Sequence, residues 1–230
     1  MDALLKNKII DSRNEELWNY LANKFDISVN VIDSDDSQII RDGNKVSLRL
    51  RSSNVDVSIF THELLHLWLW ENDCDFVNSL SSFIQIIDND RVRLLFEGNF
   101  DYTFANLIDH ILMFDKYMEM GCDIDKFLPD KNVITSYRSK IITFATMYDK
   151  LSVHHDRTFI IYLLSICEHQ YGKNQYFDLL TALRVANNKL FDIIEKFVNN
   201  VKGISSSQLP YDSYVLFLLY DLDDYYSSFL

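Results

Sequence analysis

The apolar positions change period several times along the chain, and each change marks an element. Between Asp11 and Lys24, Leu17, Trp18 and Leu21 recur at helical spacing, with Phe25 on the same side just beyond, which predicts a first helix with one buried side. The period then shortens to two. Ile27, Val29 and Val31 alternate with Ser28 and Asn30, the pattern of a strand covered on one face. A polar DSDDS stretch follows, then a short Gln38-Ile39-Ile40 segment and Asp42-Gly43, a hairpin signal. Val46, Leu48 and Leu50 alternate with Ser47, Arg49 and Arg51, so these segments predict a small antiparallel sheet of two to four strands.

The helical period returns at Ser53. Ser53 and Asp56 have the spacing of a capping box, ahead of a helix that runs to about Glu71. Phe76, Val77, Leu80, Phe83, Ile84 and Ile87 predict a second helix, Asn89 caps a third, and Gly98-Asn99 bends or breaks it. A longer helix covers about Phe100 to Met120, with Gly121 at the C-cap position. Beyond Asp123, the stretches Ile134 to Leu151, Thr158 to Tyr171, Tyr176 to Val201 and Tyr211 to Leu222 carry apolar residues at mixed three and four spacing. The expected fold is α+β and predominantly helical: a metal-binding core in residues 1–125 and an all-helical extension, 126–230, packed on it as one compact unit. There is no internal repeat, and Gly203 to Ser207 (GISSS) is the sole stretch of linker-like composition.

Composition narrows the class. The 230 residues are 48% hydrophobic, enough for a sizeable core. Five Gly and two Pro are few for this length and favour long helices over a many-turned β fold. A net charge of −12 argues against nucleic acid as a partner, because phosphates need Lys and Arg; it is permissive for a basic peptide. Three widely spaced cysteines, Cys74, Cys122 and Cys167, form neither a disulfide framework nor a CxxC zinc pair, and read as free thiols. The opening MDALLKNKII lacks the features of a secretory signal, and the apolar run Tyr214 to Tyr220 is too short to span a bilayer, so the expected location is cytoplasmic with no membrane partner.

The candidate chemistry lies in FTHELLHLWLW, Phe60 to Trp70. On a helix, His62 and His66 fall on one face a turn apart, so both imidazoles can reach one ion. Glu63 is offset by about 100° under the 3.6-residue period. It sits beside the ion without being forced to bind it, and can take a proton from water activated there. With six His and eight Glu in the chain, chance placement yields HExxH somewhere with a probability of roughly half a per cent.

A catalytic zinc needs a third protein ligand and an open position. His110, in NLIDH, is the preferred candidate; Thr103, Asn106, Phe114 and Tyr117 share its helix face. Glu97 in EGNFD is the alternative, since it forms an ExxxD pair with Asp101. Roughly 220° of helical rotation separates positions 97 and 110, so one continuous helix would not present both. Asp109 is a weaker option about a quarter-turn away. The His154-His155 pair reads as a solvated helix start, and His169 carries no functional reading.

HELLH followed by NLIDHILMFDKYMEMG resembles a group of uncharacterised prokaryotic zincin-like proteins, in which HExxH is followed by an NxxxHxxM segment leading to a Gly. The matching residues are His62, Glu63, His66, Asn106, His110 and Met113, within residues 55 to 128. The resemblance implies a zincin-like core, zinc (Zn2+) held by three histidines, and Glu63 as general base. The wider group includes enzymes with a Glu ligand, which keeps Glu97 open, and the HExxHxxGxxH extension is absent. The expected function is a zinc-dependent metallopeptidase, a hydrolase of peptide bonds acting on a peptide or protein substrate, with Val46 to Leu50 as a strand edge for the substrate backbone. The rival is a zincin-fold binding or regulatory module without efficient peptidase activity.

Overall fold

The computed structural model describes residues 3–34, 37–127, 132–168, 176–203 and 210–229. It is mostly helical with one three-stranded sheet. Two helices come first, α1 (Ala3–Ile9) and α2 (Glu15–Ala22), and then strands β1 (Asp26–Ile32), β2 (Gln38–Asp42) and β3 (Lys45–Arg51). Next are α3 (Val57–Glu71), α4 (Phe76–Phe83), α5 (Asp90–Leu95), α6 (Phe100–Glu119) and α7 (Ile124–Phe127). The remainder holds α8 (Asn132–Met147), α9 (Val153–Glu168), α10 (Phe177–Ala186), α11 (Asn188–Lys202) and α12 (Tyr211–Ser227).

The α+β, predominantly helical class is as expected, but the sheet is mixed rather than antiparallel. Its order is β1-β3-β2: β3 pairs with β2 antiparallel and with β1 parallel. The hairpin at Asp42-Gly43, where Gly43 takes φ 59°, imposes the antiparallel pair. Burial explains the rest. Val46, Leu48 and Leu50 of β3 are all buried, whereas β1 leaves Val31 exposed and β2 leaves Ile40 exposed. The strand with the most complete apolar face takes the centre, and its parallel neighbour lies on the side away from the hairpin. This placement corrects the expectation for Val46 to Leu50, because β3 is hydrogen-bonded on both sides and is not an edge. The edges are β1 and β2.

Local signals explain most helix ends. Asp56, not Ser53, caps α3, its carboxylate accepting from Ile59 N at 2.9 Å; Ser52–Asn54 forms a single 3-10 turn instead. Asp75 caps α4 and Asn89 caps α5. Gly98 at φ 73° separates α5 from α6, and Gly121 at φ 70° follows the end of α6. The stretch expected as one helix from Tyr176 to Val201 is two, because Asn187 interrupts it. Asn187 takes φ −153° and its Oδ1 accepts from Leu190 N, while its Nδ2 donates to the hydroxyls of Tyr148 and Tyr225. The GISSS loop beyond Gly203, and the last three residues of the helix expected to reach Tyr171, lie outside the described residues.

The chain divides into two compact units that interleave in sequence: residues 1–72 with 113–130, and 73–112 with 131–230. In the first, α3 is the hub. It is buried on nearly every side and contacts α1, α2, α7 and β2. Buried Asn14 donates to Ile9 O and to Thr61 Oγ1 of α3, at 2.9 and 3.0 Å. The second unit is a helical assembly in which α12 packs on α4, α5 and α11, and α9 on α5, α8, α10 and α11. Its core includes a polar knot. Buried Asp156 accepts from the hydroxyls of Tyr148 and Tyr226, and Arg91 lies over the Tyr226 ring.

The sheet order makes a testable contrast. Leu48 is fully buried and Val31 is 44% exposed, so Leu48→Ala is expected to cost about 2–5 kcal/mol and Val31→Ala less than about 1 kcal/mol. Urea unfolding midpoints check this, and the reverse ranking would contradict a central β3.

Candidate metal centre

The sequence that builds α3 is apolar almost all round, so its polar residues enter the interior with it. Ser58, Thr61, Glu63 and His66 are buried among Ile59, Phe60, Leu64, Leu65, Leu67 and Leu69. The His62 and His66 rings lie edge to face, centroids 5.1 Å apart, as helical i, i+4 spacing requires. His62 is also packed by Phe127 of α7, centroid to centroid 5.3 Å. Phe127 in turn touches Phe114 and Tyr117, on the last turns of α6, at 5.2 and 4.7 Å. Hydrogen bonds hold this packing: Asp123 N donates to Ser58 Oγ, and the Tyr117 hydroxyl donates to Asp123 O.

His110 stands one turn before Phe114 on the same face of α6. Ligand atoms of His62, His66 and His110 lie within 4.8 Å of one another, a group able to hold a metal ion. Tetrahedral coordination by imidazole at about 2.0–2.1 Å needs nitrogen separations of roughly 3.3 Å, so holding one ion would draw the three rings closer together than this upper limit. A set of three neutral nitrogen donors suits a borderline ion and not the hard cations that prefer oxygen. Among the described residues, no further His, Cys, Asp or Glu joins the group.

Glu63 occupies the position that helical geometry assigns it, next to the first histidine and enclosed. Burial pushes its carboxyl up to about 7, with the nearby His66 pulling the other way. A divalent cation on the histidines would draw it down further, because the ion becomes the largest local charge.

Other candidates fall away from this centre. Glu97 is exposed, in the turn that Gly98 closes, so the helix an ExxxD pair needs is interrupted there. Asp109 is buried, but its charge acts on Cys74 and Tyr211. Of the residues carried by the resemblance, Met113 is buried and Asn106 is exposed. His154 is exposed, and His155 Nδ1 accepts from Asp149 N at 2.9 Å, a loop-capping role. His169 lies outside the described residues. A cavity of about 470 Å³ lined by Trp18, Lys24, Phe25 and Asp26 is also found in the first unit, but it brings no comparable set of ligands together.

One neighbour of the centre had no signal in the sequence. The buried carboxylate of Glu168, at the end of α9, contacts His110 Nδ1. The two residues are 58 positions apart, and nothing in the local pattern around Cys167-Glu168 distinguishes that Glu from a surface one.

Family models, curated proteins and solved structures give no match to this chain.

The third ligand is open to direct test. With metal added to metal-free protein, His110→Ala should lose most of its affinity for the ion and Glu97→Ala should bind as the native chain does. Equilibrium competition against a chromophoric chelator reads both, and the opposite pattern would refute the three-histidine centre.

Proposed function

We propose that the chain is a zinc-dependent hydrolase of peptide bonds built on a zincin-like core. The observation that carries this reading is the convergence of His62, His66 and His110, with Glu63 enclosed one residue from the first of them. When bound, zinc would supply a Lewis acid that polarises a carbonyl and brings the pKa of water towards neutrality. His62, His66 and His110 would hold it, and the three-ligand set leaves a fourth position for water or substrate.

The remaining chemistry belongs to Glu63. Its carboxylate takes a proton from the attacking water and returns it to the leaving amine nitrogen, so one group serves as base and then acid. A carboxyl drawn up by burial is a stronger base than an exposed one, and a bound cation moderates that shift. The surrounding Leu and Phe side chains limit competing water and strengthen each electrostatic contact within the site.

A second reading, a metal-binding regulatory or interaction module of the same fold, is favoured by one observation. Glu63, His66 and His110 are each no more than 9% exposed, which restricts how a polypeptide could reach them. The two readings part on catalysis. Incubating zinc-loaded protein with a diverse peptide library should give cleavage products by mass spectrometry. Glu63→Gln should bind zinc normally yet cut about 10²–10⁴-fold more slowly. Absence of any Glu63-dependent cleavage would favour the binding module.

A further inference from the structure

The helical second unit contributes a side chain that bears directly on one of the three histidines. The Glu168 carboxylate meets Nδ1 of His110, and both side chains are nearly shielded from water, at 7% and 11% exposure. An ionised carboxylate only accepts hydrogen bonds, so the ring nitrogen facing it must carry the hydrogen. In a neutral imidazole this leaves the lone pair on Nε2. The contact therefore selects the tautomer able to bind a metal through its far nitrogen, and holds the ring plane.

The scaffold behind Glu168 supports an aimed contact. Arg157 lies eleven residues earlier on α9, three turns at 3.6 residues each to within about 20°, so Arg157 and Glu168 share one face. Arg157 donates to the backbone carbonyls of Leu94 and Leu95, and its guanidinium lies 5.7 Å from the Phe100 ring centroid. Phe100 opens α6, and His110 lies ten residues further along. At 1.5 Å per residue the two spans are about 16 and 15 Å, so α9 meets α5 and α6 at two points of matched spacing. The first point fixes where α9 begins and the second delivers Glu168 to His110.

We propose that Glu168 is the positioning residue of the metal centre: it keeps the His110 proton on Nδ1 and so presents Nε2 to the ion. The inference rests on the three-histidine reading of the centre. It also gives the C-terminal helical half a specific task, the orientation of a ligand that α6 carries. Outer carboxylates of this kind typically contribute 10–100-fold to metal affinity.

The test uses the full-length protein and zinc alone. Glu168→Ala should bind zinc roughly 10–100-fold more weakly in chelator competition. Glu168→Gln, whose amide oxygen can accept the same N–H, should recover most of that loss. Long-range proton–nitrogen spectra of zinc-loaded native protein and of Glu168→Gln should show the His110 proton on Nδ1. Thermal melts of the metal-free proteins separate positioning from scaffold: a purely structural role would lower the melting temperature while leaving the zinc affinity of folded protein unchanged. The inference is overturned if Glu168→Ala binds zinc as tightly as the native chain, if Gln gives no recovery, or if the proton resides on Nε2. If the native chain binds zinc and only Glu168→Ala matches it, the three-histidine centre stands and the role of Glu168 alone falls. If the native chain binds none, both fall together.

Discussion

Two imidazoles and a carboxylate stand on a helix that is enclosed on nearly every side, and the rest of the first unit is arranged around that constraint. Polar groups withdrawn from water cost several kcal/mol each unless they are satisfied within the protein. A helix such as α3, hydrophobic all round, would fold more stably with Leu at each of these positions. Retaining His62, Glu63 and His66 there is a cost that a bound metal ion would offset, since an ion converts buried lone pairs into coordinate bonds. The rise of Glu63 to about 7 is the same cost expressed at a single carboxyl.

The supports of α3 follow from this placement. Its start is capped by Asp56 and its first turns are tied by Asn14 to the chain before α2, through Thr61. Its outer histidine is packed by Phe127, and the segment carrying Phe127 is held by Ser58 and Tyr117. Apart from the Asp56 cap at the start of α3, these contacts use aromatic faces and neutral hydrogen bonds. Adding ions beside two imidazoles would compete with a metal for the same electrostatic field.

Much of this was legible because the signals are local. HExxH on a helical period, the Asp42-Gly43 turn, the Asn89 cap and the glycines at 98 and 121 each act within a few residues of themselves. His110 was reachable by adding a helical phase argument, since Gly98 sets Glu97 off from the helix that carries His110. What escaped depends on partners distant in sequence. The central place of β3 follows from comparing the burial of three strands, not from the alternation within any one of them. The break at Asn187 follows from two tyrosine hydroxyls that claim its amide. Glu168 is a carboxylate like any other until α9 lies against α6, and no composition change at residues 72 or 112 announces that the units interleave.

The register of α6 links these levels. A helix advances 1.5 Å and 100° per residue, so the position of one turn determines that of the next. Phe114 and Tyr117 are fixed by Phe127, which packs against His62. His110 lies one turn earlier on the same rod, on the face that carries Phe114. At its other end the rod begins at Phe100, beneath the Arg157 guanidinium, eleven residues before Glu168 on α9. A single insertion in α6 between positions 100 and 114 would rotate His110 by about 100° against one or both anchors. The length of this helix thus constrains where His110 stands as strictly as any of its side-chain contacts.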